Sequence, residues 1–158
     1  MVGNLRKNSE KGFTIIEVLI VLAIAGLIML IVFLAVPALQ RNSRNTQRRN
    51  DVSVYLGAVN EWVANSNGRL PSLATDLTAA GTGVNALANV GANTTEPATV
   101  LTGVQSTAVA LDTLQLVTNA KCDTATVGNT IAATGRAFVL RFAVENSTGG
   151  ATPQCQEG

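Results

Sequence analysis

Between Gly12 and Leu39 the chain carries a single ionisable side chain, Glu17. It stands at the mouth of an uncharged apolar run, Val18 to Leu39, behind the segment Lys11-Gly12-Phe13-Thr14-Ile15-Ile16. A carboxylate in hydrocarbon costs about 2.5–3.5 kcal/mol on insertion scales. In the working state a cation must compensate it, or it must sit at the interface and reach toward water. An ordinary membrane helix has no use for such an acid. The basic residue and glycine ahead of it suggest a second chemistry, proteolytic processing. A secretory signal places its small-residue cut after the apolar run. Here the only plausible cut precedes the run, so the apolar helix stays in the mature chain.

Little else in the sequence could catalyse a reaction. The chain has no histidine, the commonest general base and metal ligand. Its ten acids are scattered, and Cys122 and Cys155 do not form a CxxC pair, which argues against zinc and thioredoxin chemistry. A formal charge of +1, with only 13% of residues charged, gives no bulk field for nucleic acid or acidic substrates. No enzyme activity, cofactor or metal is expected. A membrane-anchored enzyme or receptor domain therefore ranks below a structural role.

The elements that position Glu17 follow from periodicity. Val18–Leu39 is 22 residues long. As a helix it measures about 33 Å, enough to cross a bilayer core. Gln40–Asp51 is polar on every face and needs support from neighbours to stay helical. Val52, Tyr55, Leu56, Val59, Trp62 and Val63 then recur at helical spacing, an apolar stripe for packing on a domain. Asn65-Ser66-Asn67-Gly68 and Pro71 end the helix, with Gly68 suited to a left-handed C′ position. One long helix is expected from about Phe13 to Asn67, kinked in its first half. Ser72–Ala110 gives a weaker signal, with short helical turns at Leu73–Leu77 and Val84–Ala88. Leu114–Thr118 reads as a strand. Ala137–Glu145 reads as another, with Phe138, Leu140, Phe142 and Val144 on one face and a second, open face. Asn146-Ser147-Thr148-Gly149-Gly150 is a turn, and a last short strand falls near Thr152–Gln156.

The run Gly12-Phe13-Thr14-Ile15-Ile16-Glu17-Val18-Leu19-Ile20-Val21 resembles the type IV pilin family, including its relatives the pseudopilins. The resemblance implies an α+β fold: a long N-terminal helix, half membrane or filament core and half amphipathic, packed on a small antiparallel sheet. It implies four parts: residues 1–12 a leader removed by a prepilin peptidase, 13–40 the transmembrane and filament-core helix, 41–68 the amphipathic half, and 69–158 the globular domain. Cleavage then falls after Gly12, and Phe13 becomes the N-methylated first residue. Glu17 is implied to pair with the Phe13 amine of a neighbouring subunit and so set the stacking offset. A snorkelling interfacial acid is the plainer alternative.

The resemblance extends to Gly26, which falls where the family has a helix-weakening glycine. Pro37 lies three residues beyond the usual proline place, which Leu34 occupies, so the stretch that unwinds in many pilins is shifted or replaced by a simple kink. Cys122 and Cys155 match the family's disulfide. Arg41, Arg44 and Arg48 share a helix face, with Arg49 beside them. They could meet anionic headgroups, line a filament or pair with neighbouring acids, or form a solvated polar segment. DNA capture has weak support, because no aromatic residues interleave to stack bases.

The implied function is a major-type pilin, a non-enzymatic subunit of a surface filament. A minor pilin, or a pseudopilin of a secretion or DNA-uptake system, is the close alternative. Implied partners are further copies of the chain, the peptidase, an assembly ATPase, a membrane platform protein and the membrane. The implied location is the bacterial inner membrane, single-pass with the N-terminus cytoplasmic, and then an extracellular filament. One physical signal opposes that orientation. Arg41, Arg44, Arg48 and Arg49 follow the apolar run, against Arg6, Lys7, Lys11 and the amine before it, so the positive-inside rule gives a tie or leans the other way.

Overall fold

The computed structural model describes residues 12–88, 90, 94–97 and 99–158. Of the expected leader, residues 1–12, only Gly12 lies among the described residues. Helix α1 spans Ile15–Asn65, and both Gly26 and Pro37 fall within it. The chain divides into two compact units, Met1–Leu39 and Gln40–Gly158.

In the first unit the helix is apolar on all sides. Its most apolar 18-residue window has a mean hydropathy of 3.3, and none of it is buried. A helix hydrophobic all round has no solvent-facing stripe and calls for a lipid or protein surround. Pro37 has no N–H to donate, so one helical hydrogen bond is missing there.

In the second unit, Val52, Tyr55, Leu56, Val59 and Trp62 of α1 are buried. The helix ends where Gly68, at φ 78°, donates its N–H to the Val63 carbonyl. Two short helices follow, α2 (Ala74–Thr78) and α3 (Val84–Ala88), which add Leu77, Val84 and Ala88 to the same core. Tyr55 donates its hydroxyl to Asn85, and Asn85 donates to the Pro97 carbonyl, tying α1 to α3 and the segment beyond it. Burial and the nearby Glu96 carboxylate push the Tyr55 hydroxyl well above its usual pKa.

Six strands complete the unit: β1 (Leu101–Thr102), β2 (Gln115–Thr118), β3 (Ala120–Cys122), β4 (Thr130–Ala132), β5 (Phe138–Glu145) and β6 (Ala151–Glu157). One sheet has the order β1-β2-β5-β6, and β3 pairs with β4 in a separate hairpin. β2, β5 and β6 run antiparallel, and β1 adds a parallel edge to β2. The β5–β6 turn is held by Asn146, whose Oδ1 accepts from the Thr148 and Gly150 amides. The architecture is α+β, a long N-terminal helix with a small, largely antiparallel sheet.

One face of β5, Phe138, Leu140, Phe142 and Val144, enters the core with the α1 stripe. The other face is not open. Val139, Arg141 and Ala143 are as buried as their neighbours. Val117, Ala120 and Val139 form a second cluster there, with Leu101, Cys122 and Cys155 packed against it. The alternation along β5 marks two different buried faces, because the β3–β4 hairpin and the loops around it supply a further layer. Arg141 anchors that layer. Its guanidinium donates to the Gly128 carbonyl at 2.7 Å, to Gln115 Oε1 at 2.8 Å and to the Thr107 carbonyl. Gly128 sits at φ 82°, and a Cβ there would fall 2.5 Å from Pro153 Cβ, so glycine is required by both conformation and space. Cys122 and Cys155 are disulfide-bonded, joining the hairpin to β6.

Candidate processing and assembly site

Gly12, Phe13 and Thr14 precede the first turn of α1, and Phe13 is 89% exposed. All three residues are exposed and lie outside any helix or strand. Nothing lies within 4 Å of the place a Gly12 Cβ would take, so the fold of this chain does not itself require glycine at that position.

Glu17 occupies the third helical position. Its Oε2 accepts from the Thr14 amide at 2.8 Å and from Thr14 Oγ1 at 2.8 Å. Glu17 N donates back to Thr14 Oγ1 at 3.3 Å. These are the reciprocal bonds of a capping box, in which two otherwise orphaned amides at a helix start are satisfied. A carboxylate here also opposes the positive end of the helix dipole. Thr14 is the residue that the reading of Glu17 by itself misses. The Thr-x-x-Glu spacing before an apolar run is the signal that identifies it. The cap gives Glu17 hydrogen bonds but no counter-charge: among the described residues no cation pairs with it. Beside it Phe13, Val18, Val21 and Leu22 line a shallow apolar groove of about 220 Å³.

The basic residues that follow the apolar run are engaged within the second unit. Arg44 meets Glu145 with two nitrogens, Nε at 3.0 Å and Nη2 at 2.7 Å. Arg48 is 7% exposed and contacts Asp112 at 2.7 Å, with Glu145 at 3.8 Å from its other side. Asn45 donates to the Glu145 carbonyl and accepts from the Glu145 amide, a two-way pairing of a side chain with the strand end. Arg41 reaches the Ser147 carbonyl at 3.4 Å. Among the described residues neither Arg41 nor Arg49 forms an ion pair. The support that the polar stretch Gln40–Asp51 needs thus comes from Glu145 and Asp112. Both acids are distant in sequence, so periodicity could not reveal them.

Sequence comparison agrees with this geometry at the N-terminus. A family model described as the prokaryotic N-terminal methylation motif matches residues 7–33, which include Gly12, Phe13, Glu17 and Gly26. The chain carries the leader signature of type IV prepilin-like proteins. The motif supports a type IV pilin-like, prepilin-type protein and points to a structural rather than an enzymatic role. The leader and the apolar helix fit anchoring in a membrane before assembly. No match was found among curated proteins or among solved structures.

Proposed function

We propose that the chain is a major-type pilin, the repeating subunit of a type IV pilus. In this reading residues 1–12 are a leader cut after Gly12 by a prepilin peptidase, and Phe13 becomes an N-methylated terminus. Residues 13–40 hold the subunit in the inner membrane and later form the filament core. Residues 41–68 join that helix to the domain of residues 69–158. The observation that carries the proposal is Glu17: a hydrogen-bonded carboxylate with no counter-charge among the described residues, one turn from the proposed new amine, at the start of a membrane-length apolar stretch of helix. Cleavage frees an ammonium at Phe13. The amine of one subunit then neutralises Glu17 of the next, and apolar helices exchange lipid for one another. Gly26 and Pro37 are where this helix gives way most readily in that exchange. An assembly ATPase and a membrane platform protein would drive extrusion.

A minor pilin or pseudopilin would share all of this N-terminal chemistry. The two are separated by abundance. Filaments sheared from cells and analysed by mass spectrometry contain this chain as the principal component if it is the major subunit. Its N-terminus there reads Phe-Thr-Ile-Ile-Glu with a methylated amine. A chain that keeps Met1 in the membrane rules out the processing step. A chain cut after Gly12 but present only in traces favours the minor role.

A further inference from the structure

The basic cluster after the apolar run poses a physical problem for a subunit that must leave the membrane. Arg41, Arg44, Arg48 and Arg49 all lie within ten residues of Leu39. Bare arginines at that distance are drawn to anionic headgroups, by about fivefold in partition for each. Four of them would hold a subunit at the bilayer surface.

The structure answers this with two acids from the far side of the sequence. Glu145, at the end of β5, takes Arg44 through both carboxylate oxygens, at 2.9 and 2.7 Å. Asp112 takes the Arg48 Nε at 2.7 Å. Glu145 is well shielded, with its side chain 16% exposed, and Arg48 is nearly covered at 8%. Asn45 fixes the Glu145 backbone from both sides, so the carboxylate is held at the arginines. Each pair joins one covered side chain to a half-exposed partner, Arg44 at 48% and Asp112 at 46%, whereas pairs exposed on both sides are worth little. A forked guanidinium contact with a positioned, shielded acid is the stronger type.

We propose that Glu145 and Asp112 mask Arg44 and Arg48 from anionic lipid, so that folding of the soluble unit releases the subunit from the headgroup layer for assembly. The proposal rests on the membrane-stored reading above. The mask forms only when β5 and the Asp112 turn are in place. An unfolded domain therefore leaves the cluster bare and the chain bound to the surface. A folded one leaves, of the four clustered arginines, only Arg41 and Arg49 without an ion pair among the described residues. The device also bears on the adverse charge balance seen in the sequence, because two of the four cations no longer act as free charges once the domain folds.

Two variants break the same ion pairs with opposite consequences. Glu145→Gln with Asp112→Asn exposes two cations. Arg44→Gln with Arg48→Gln exposes two acids. The full chain is placed in proteoliposomes of phosphatidylcholine alone or with phosphatidylglycerol, and amide exchange is followed over residues 40–51. Masking predicts that phosphatidylglycerol slows exchange several-fold more in the acid-deleted variant than in the wild type or the arginine-deleted variant, in each of which only Arg41 and Arg49 are bare. In cells the acid-deleted variant, cut normally at Gly12, shows a membrane-to-filament ratio raised at least fivefold, while the arginine-deleted variant does not. Equal effects of the two variants mean that the ion pairs act only in folding, and overturn the proposal. So does wild-type exchange that responds to phosphatidylglycerol as strongly as the acid-deleted variant. A wild type that never enters filaments sinks the pilus reading instead, and the liposome result still decides the mask.

Discussion

Glu17 and Arg141 are both lone charges in apolar surroundings, and the chain treats them in opposite ways. Arg141 lies fully buried in the second unit, where Gly128, Gln115 and Thr107 supply three neutral acceptors to its guanidinium. Every partner comes from the same chain. Burial lowers the Arg141 pKa from its ordinary value, but the group has nothing left to seek outside. Among the described residues Glu17 receives only the Thr14 cap, which supplies hydrogen bonds and no counter-charge. A closed set of partners makes a charge part of the architecture. An open one leaves it available to another molecule. The same contrast separates Arg48, covered and paired with Asp112, from the uncovered helix of Val18–Leu39.

If Arg141 is architectural, its removal should give the largest loss of stability. Arg141→Ala leaves three buried acceptors unpaired together with a cavity, and about 4–5 kcal/mol should be lost. Chemical denaturation of the full chain in detergent, followed by the fluorescence of Trp62, measures this. Arg141→Met, which fills the space, should lose clearly less. Equal losses would mean that volume rather than hydrogen bonding holds the second layer.

The disulfide comes next. Closing a loop over a separation of 33 residues is worth about 3.7 kcal/mol as an upper value in the chain-entropy model. Cys122→Ser with Cys155→Ser should therefore shift the denaturation midpoint substantially, and the β3–β4 hairpin should become the first region open to proteolysis. Loss of protection in the α1 stripe before the hairpin would contradict the layered arrangement.

A smaller effect belongs to Asp76. Its hydrogen bonds from Arg69 hold its pKa down to about 2 against partial desolvation, with the Ser72 and Leu73 amides assisting. A depressed folded-state pKa contributes stability above the unfolded value near 4, and that contribution is lost as pH falls toward 2. Asp76→Asn should remove this part of the acid dependence and leave the rest. A variant whose stability between pH 4 and pH 2 parallels the wild type would show that the Arg69 contact contributes nothing measurable.

Glu17 should lie at the far end of this stability series. Glu17→Gln keeps much of the cap and deletes the charge, so the second unit should melt within about 0.5 kcal/mol of wild type. Filament yield should nevertheless collapse, since the neighbour's amine loses its counter-charge. Wild-type yield from a normally cleaved Glu17→Gln chain would remove electrostatic registry and leave apolar packing as the sufficient cause.

The N-terminal signals were legible because they are local. Gly12, Phe13 and Glu17 lie within six residues, and the 22 uncharged residues that follow require no knowledge of the rest of the chain. The Thr14 cap on Glu17, though equally local, escapes a reading of the acid by itself. The α1 stripe, its stop at Gly68 and the hydrophobic face of β5 are periodic patterns, and they too are written in consecutive residues. What lay beyond reach depends on pairing at long range. The two-residue strand β1 has no pattern of its own and exists because it lies along β2. Arg141 looks like a solvent-facing residue in an alternating strand until the loops at Thr107 and Gly128 close over it. Arg44 and Arg48 look like a solvated basic helix until Glu145 and Asp112, 101 and 64 residues away, arrive beside them. The sequence alone determined where the membrane-length apolar run lies and where the methylation motif falls, since those properties reside in short contiguous segments. Only the tertiary structure decided which charges are spent inside the subunit and which remain for a partner, because a charge is neutralised by whatever stands within a few ångströms, regardless of its distance along the chain.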